Sequence, residues 1–188
     1  MKTNQDGTLR YPVSVQRLPQ KGVSVKIEAD EKERAALRDF HELEDVRSFR
    51  ADLQFVPWKK DGIRVRGAVK ADIVQACVVT LEPIETSIDA EIDALYVPEN
   101  SRLARLPVDE NGELIVSAEG PDVPETFSGD LLDAGAIAEE FFELAIDPYP
   151  RKEGAEPVSP IVVDDDNDTG ATRPSNPFAA LKDWKQKS

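Results

Sequence analysis

Apolar and polar residues alternate with a period of two through the middle of the chain. Phe49, Ala51, Leu53 and Phe55 alternate with Arg50, Asp52 and Gln54; beyond Lys60-Asp61-Gly62, Ile63, Val65, Val69, Ala71 and Ile73 alternate with Arg64, Arg66, Lys70 and Asp72. A third run sets Ile84, Thr86, Ile88, Ala90, Ile92, Ala94 and Tyr96 against Glu85, Ser87, Asp89, Glu91 and Asp93. Such runs predict strands with one buried face. The apolar positions are odd-numbered in the first two runs, so facing residues must sum to an even number if the apolar faces are to meet. A two-residue Asp61-Gly62 turn gives an odd sum. A three-residue loop, Lys60-Asp61-Gly62 with Gly62 in the left-handed conformation, gives an even one. The third run has even apolar positions, and a turn around Leu81-Glu82 with a sum of about 163, pairing Lys70 with Asp93, keeps its apolar side on the same face. The pattern predicts an antiparallel meander.

On the N-terminal side, Tyr11 to Leu18 and Val23 to Ile27 read as short strands separated by Pro19 and Gly22. Asp30-Glu31-Lys32-Glu33 has capping-box spacing, which predicts a helix to about Leu43 with Ala36, Leu37 and Phe40 on one face. A second helix is expected from Asp133 to Ile146, with Ala134, Ile137, Ala138, Phe141 and Ala145 at helical spacing and Pro148 and Pro150 ending it. Pro98 to Pro124 is a loop-rich insertion, in which Asp109-Glu110-Asn111-Gly112 precedes Leu114-Ile115-Val116 as in a small hairpin. The expected fold class is α+β: an antiparallel β-meander that curls toward a partial barrel, two packed helices, and a short C-terminal helix on a disordered linker. Residues 1–150 form the domain. Residues 151–175, rich in Pro, Asp, Gly and Thr, read as an acidic linker unable to bury enough surface to offset chain entropy. Residues 176–188 form an amphipathic motif: Asn176 caps a helix starting at Pro177, and Phe178 and Leu181 share a face with Trp184 one turn on.

Charge narrows the function classes. The 188 residues carry 37 Asp plus Glu against 23 Lys plus Arg, a net charge of −14. Residues 176–188 are themselves basic, with Lys182, Lys185 and Lys187 against Asp183, so the remainder is more acidic still. Nucleic-acid binders gain affinity by neutralising phosphates with Lys and Arg, which disfavours direct RNA binding by such a body. Basic proteins are the matching electrostatic partners. The single cysteine excludes an intramolecular disulfide framework and suits a reducing compartment. Met1 to Gly7 lacks an apolar segment of signal type, and no apolar run approaches the roughly 20 residues that span a bilayer. The expectation is a cytoplasmic protein.

Catalytic and metal constellations are sparse. A tetrahedral zinc site needs four Cys or His ligands, and the chain holds one Cys and one His. A nucleophilic Cys77–His41 pair is conceivable in chemistry, but a free Cys at a strand end packs as a small apolar residue. Asp164, Asp166 and Asp168 have part of the spacing of a calcium loop, yet the glycine falls at Gly170 and Ser175 stands where a bidentate Glu is needed. No catalytic residue, cofactor site or metal site is assigned. The candidate partner-binding residues are the outward acidic row Glu85, Asp89, Glu91 and Asp93, and the terminal Asn176, Pro177, Phe178, Leu181 and Trp184.

Ala76-Cys77-Val78-Val79-Thr80-Leu81-Glu82-Pro83 and Asn176-Pro177-Phe178-Ala179-Ala180-Leu181-Lys182 together resemble the YceD family of large ribosomal RNA subunit accumulation proteins. In that family a strand ends in a Cys-x-x-Cys/Thr-Leu-Glu-Pro turn, and the chain ends in an Asn-Pro-Phe-Ala-x-Leu-like segment. Asp130 to Pro150 looks like the family's helix running into Asp-Pro-Tyr-Pro. The resemblance spans roughly Val46 to Lys185, interrupted by the acidic insertion near residues 99–122, and Thr80 stands where many members carry the second Cys. It implies a structural turn at Cys77, Leu81, Glu82 and Pro83, held by Leu81 and Pro83, and a ribosome-biogenesis role in 23S rRNA synthesis, processing or stability. The acidic body adds the expectation of a non-enzymatic mode, through a large-subunit precursor or a basic ribosomal protein, with rRNA contacted indirectly. An RNA-processing enzyme and a direct rRNA-binding module acting through the terminal helix are the alternatives.

Overall fold

A computed structural model describes residues 8–104 and 123–155. In chain order they form β1 (Pro12–Ser14), β2 (Val23–Glu28), α1 (Glu31–Phe40), β3 (Asp45–Trp58), β4 (Gly62–Ala76), β5 (Pro83–Pro98), a 3-10 turn at Arg102–Ala104, β6 (Glu125–Phe127), β7 (Leu131–Asp133) and α2 (Ala134–Ala145). The main sheet has the order β2-β3-β4-β5-β6, and β1 pairs with β7 in a separate two-stranded sheet. The fold is α+β with two packed helices, as the pattern predicts. The sheet, however, is mixed and open. Strands β2 to β5 are antiparallel neighbours, while β6 adds parallel to the end of β5. A parallel neighbour needs a long return connection, and the segment between β5 and β6 supplies it. β6 has only three residues, and among the described residues no strand bridges that edge back to β2 to close a barrel. The predicted hairpin at 109–116 lies outside the described residues.

The parity argument holds, with two adjustments. Phe49 faces Ala71 and Phe55 faces Val65, so both inner faces meet. The three-residue loop is Lys59-Lys60-Asp61 rather than Lys60-Asp61-Gly62. Lys59 takes the left-handed conformation at φ 53°, its ammonium 4.2 Å from the Trp58 ring centroid, and Gly62 pairs with Trp58. Glycine is needed at 62 for a different reason from the expected one: a Cβ there would lie 2.6 Å from the Trp58 ring. Between β4 and β5, Lys70 faces Asp89 and Arg66 faces Asp93. The sum is odd as expected, but the turn centres on Val79-Thr80, two residues earlier than predicted. A register shift between Val46 and Ser48 makes Arg47 a bulge and turns Val46 into the core at 3% exposure. Gly67 is where β3 and β4 press closest, since a Cβ there would overlap the Asp52 carbonyl oxygen.

One face of the sheet makes the core. Phe49, Phe55, Val65, Val69, Ile73, Ile92 and Tyr96 are essentially inaccessible to solvent and pack against Ile137, Ala138 and Phe142 of α2, Leu37 of α1 and Leu9. Phe142 meets Phe49 edge-on at 5.3 Å. The buried stripe of α2 therefore continues from Ala138 to Phe142, one full turn on, with Phe141 half-buried against the same cluster; Ala145 is exposed. Its N-cap Asp133 accepts from the amides of Gly135 and Ala136, and from Tyr11. In α1 the capping box forms as predicted: Glu33 N–H donates to Asp30 and Asp30 N–H to Glu33. The Tyr11 hydroxyl also donates to Glu33, which ties β1 to this cap. The helix stops at Phe40, sooner than Leu43, and Phe40 is 51% exposed. Leu37 fills the core, and the next residue on that face is His41, one turn later.

His41 and Glu139 form a buried polar contact inside this apolar frame. Glu139 Oε2 accepts from the amides of Thr8 (2.7 Å) and Leu9 (3.3 Å), and Oε1 lies 3.4 Å from His41 Nε2. Burial pushes the carboxyl up, but the contact with His41 and the bonds from Thr8 and Leu9 outweigh it and hold the group below its usual range. A lowered carboxylate stabilises the fold at pH values above its unfolded pKa of about 4.3, and that contribution is lost as pH falls through the lowered value. Glu139→Ala should cost about 2–3 kcal/mol at neutral pH, by leaving buried amides without an acceptor. It should also flatten the acid limb of stability measured by urea unfolding from pH 7 to pH 3. Gly67→Ala should cost about 1–3 kcal/mol in the same assay, because the strands must separate to admit a methyl group.

Candidate functional site

Two motif segments, distant in sequence, meet at the far end of β4. Cys77 to Glu82 join β4 to β5, closed by hydrogen bonds from Cys77 N–H to Glu82 O (2.8 Å) and Leu81 N–H to Cys77 O (2.9 Å). The stretch Asp147 to Lys152, which follows α2, lies against this turn. Val78 N–H donates to Pro150 O (2.9 Å), Gln75 Nε2 to Asp147 O (2.8 Å) and Lys152 Nζ to Glu82 Oε2 (2.8 Å). Cys77 Sγ accepts from the amides of Lys152 (3.4 Å) and Thr80 (3.5 Å). Lys152, which the sequence puts just inside the linker starting at residue 151, is bonded to this turn through two groups, its amide and its ammonium. Gln75 and Lys152 were not legible as partners of the turn. The one sign of Lys152 is its place two residues after Asp147-Pro148-Tyr149-Pro150.

Cys77 is inaccessible to solvent, as a small apolar residue would be, yet it serves as a hydrogen-bond acceptor. It is covered by the backbone of its own turn and stands apart from the main apolar cluster. The Thr80 hydroxyl, followed by the amides of Lys152, Thr80 and Val79, draws the thiol down to about 6. Thr80 thus stabilises the sulfur directly. His41 contacts Glu139, Phe40 and Phe142, so the structure does not bring a Cys77–His41 pair together. Among the described residues no group of three or more His, Cys, Asp or Glu is arranged to hold a metal ion.

Leu81 does not hold the turn by burial. Its side chain is 78% exposed and its backbone is left-handed at φ 60°. What closes the turn is the backbone bonding of Cys77 and the polar links to Gln75, Glu82 and Lys152, because the turn centres before Leu81 and points it outward. Val78 (45%) and Tyr149 (72%) are also exposed on these two segments, giving an apolar tip.

The acidic row lies where the alternation places it, on the outer face of β5. Glu85, Asp89 and Asp93 are not bare: Arg47 reaches Glu85 (2.7 Å), Lys70 reaches Asp89 (2.8 Å), and Arg64 and Arg66 reach Asp93 (2.5 and 3.6 Å). Their side chains nevertheless remain 69%, 65% and 42% exposed. Glu91 faces Ala68 and has no cation among the described residues. At the opposite end of β4, an open cleft of about 390 Å³ is walled by Arg17, Lys60, Asp61, Asp130 and Phe127, charges of both signs with no convergent chemistry. Asn176, Pro177, Phe178, Leu181 and Trp184, and the Asp164–Asp168 run, lie outside the described residues.

A family model described as large ribosomal RNA subunit accumulation protein YceD matches residues 65–185. This chain belongs to the YceD family. The match begins within β4 and takes in the Cys77 turn, β5, α2, Asp147 to Lys152 and the Asn176–Lys182 segment; the resemblance read from the sequence begins earlier, at Val46. No curated protein and no solved structure matches the chain. The family's description concerns accumulation of large-subunit ribosomal RNA, and no helix among the described residues is long and apolar enough to cross a membrane.

In the YceD turn, the unfolded thiol titrates near 8.5 and the folded one at about 6. Between these values the unfolded chain holds more protons, so the Cys77 contribution rises with pH and is lost as pH falls through about 6. The thermal midpoint of the wild type should therefore pull away from that of Cys77→Ala between pH 6 and pH 9; a constant gap would mean that the folded thiol stays protonated. Leu81→Gly should raise stability by about 1 kcal/mol, as the left-handed residue loses its side-chain penalty. Leu81→Ala, which keeps the Cβ, should not.

Proposed function

We propose that the chain is a non-enzymatic, cytoplasmic ribosome-biogenesis factor, which supports 23S rRNA synthesis, processing or stability by binding a basic ribosomal protein or an assembly particle. Membership of the YceD family supplies the connection to large-subunit rRNA. The observation that carries the mode of action is the acidic rim of the sheet. Glu85, Asp89, Glu91 and Asp93 stand in line on one strand, from which Lys and Arg are absent between Pro83 and Pro98. Surface ion pairs of the kind made by Arg47, Lys70 and Arg64 hold their partners weakly, so the acids remain open to exchange with cations of a partner. The same row repels RNA phosphates, so rRNA is contacted through that partner. A protein of this charge would neutralise a basic assembly component and favour its productive delivery to nascent rRNA.

Reversing Asp89→Lys and Glu91→Lys together should leave the thermal midpoint nearly unchanged, since exposed pairs contribute little. Capture of basic ribosomal proteins by the tagged protein should fall steeply, and 23S rRNA should accumulate poorly in cells carrying only this variant. Unchanged capture, measured by mass spectrometry of co-purified proteins, would reduce the row to solvated surface. Salt-dependent binding of the variant to naked rRNA would move the function to the direct RNA-binding class.

A further inference from the structure

The two edges of β5 differ. Along one side, β4 pairs with it from Pro83 to Tyr96 without a register shift. Along the other, β6 pairs only with Tyr96, Val97 and Pro98. Among the described residues no strand and no backbone hydrogen bond reaches that side between Ile84 and Leu95. On an edge strand, alternate residues aim their N–H and C=O groups outward, and this row is a template for another chain. At about 3.3 Å per residue the free stretch extends for about 40 Å.

We infer that the free edge of β5 from Ile84 to Leu95 accepts an extended Lys/Arg-rich segment of a basic protein as an added β-strand. The inference rests on the acidic-rim reading above and names its mode of contact. On the outer face of the sheet β4 presents Arg64, Arg66 and Lys70, with one acid, Asp72, bonded by the Ser48 and Ser87 hydroxyls, and β5 presents Glu85, Asp89, Glu91 and Asp93. Opposite charges on facing strands attract, and like charges repel. The next position beyond β5 therefore selects cations at alternate residues. Arg64, Arg66 and Lys70 of β4 and Arg47 of β3 pair with Asp93, Asp89 and Glu85, and these three acids remain 42%, 65% and 69% exposed. On the inner face, Ile84, Thr86, Ala90 and Ala94 are only half-buried, so the other alternate positions of an added strand would lay Val, Ile or Thr over them. The same charges argue against a second copy of this chain, because edge-to-edge pairing would set two acidic rows side by side. Neither a bulge nor an internal proline defends this edge; prolines stand only at its two ends, Pro83 and Pro98. β6 already occupies the last three residues of the same side, so the backbone there admits a neighbour.

The test uses the full-length protein and two synthetic peptides of about twelve residues and equal charge. One alternates Lys with Val and Thr; in the other, Pro replaces each Val, which keeps the charge and prevents a ladder. Binding is read by fluorescence anisotropy, and hydrogen exchange is followed at Ile84 to Leu95. The alternating peptide should bind and slow exchange there. The Pro-containing peptide should bind at least about tenfold more weakly, the loss of one or two net hydrogen bonds being enough for that. The Asp89→Lys, Glu91→Lys double variant should lose both. Equal binding of the two peptides with no new protection would overturn strand addition and leave the acidic-rim reading standing. Binding unaffected by charge reversal would overturn that reading as well, as would failure of the alternating peptide to bind. A concentration-dependent dimer protected over the same residues would place a second copy on the edge and overturn the basic-partner assignment.

Discussion

Everything in this molecule depends on three long strands sharing one apolar face. A strand shifted by one residue would turn its whole apolar set outward, and each large side chain buried on that face contributes roughly 1.5–3 kcal/mol. The connections are therefore the points at which the fold is decided. Lys59-Lys60-Asp61 sets an even sum between β3 and β4, and the Cys77 turn sets an odd one between β4 and β5. Both connections carry a non-glycine residue in the left-handed conformation, Lys59 and Leu81. Strain of this kind persists when the surrounding pairing over-determines the backbone, and here the long ladders on either side do so.

The Cys77 turn carries a second duty. By accepting Lys152, and through the bonds from Val78 to Pro150 and from Gln75 to Asp147, it fastens the chain that leaves α2 onto the end of the sheet. Thus α2 is held at both termini: at the start by Asp133, which also receives Tyr11, and beyond its end by this clasp. Phe142 and Ile137 are pressed onto the strands between these two points. A single sulfur bonded by amides does the work of a joint, which explains how one cysteine serves in a turn whose family pattern often has two.

The same register distributes the surface charge. Because outward positions on β4 are largely basic and those on β5 acidic, the outer face is not uniformly negative; its acid collects at the rim. The net charge of −14 describes the chain as a whole, whereas the outer face of β5 carries a local acidic row beside a backbone edge that is unpaired among the described residues. The bulge at Arg47 adds to this pattern by turning a cation out toward Glu85.

Alternation and parity were legible in the sequence because side-chain direction in a strand is a local property with a period of two. The capping box of α1 was equally local, as was the membership carried by the Cys77 turn and the segment at 176–182. What the sequence could not place was decided by distant contacts. Phe142 is fully buried and Phe141 only half-buried, because the rotation of α2 is set by Phe49 and His41, outside the helix. The turn closes two residues early on its own Cys77–Glu82 and Leu81–Cys77 backbone bonds, and Asp147 to Lys152 add further bonds to it from across the molecule. β6 joins in parallel and pairs only with the last three residues of β5, and nothing in either strand's own residues states which neighbour it will take. Local sequence determined which face of each element is apolar; tertiary structure alone decided which elements meet, because strand pairing and helix phase are set by partners far along the chain.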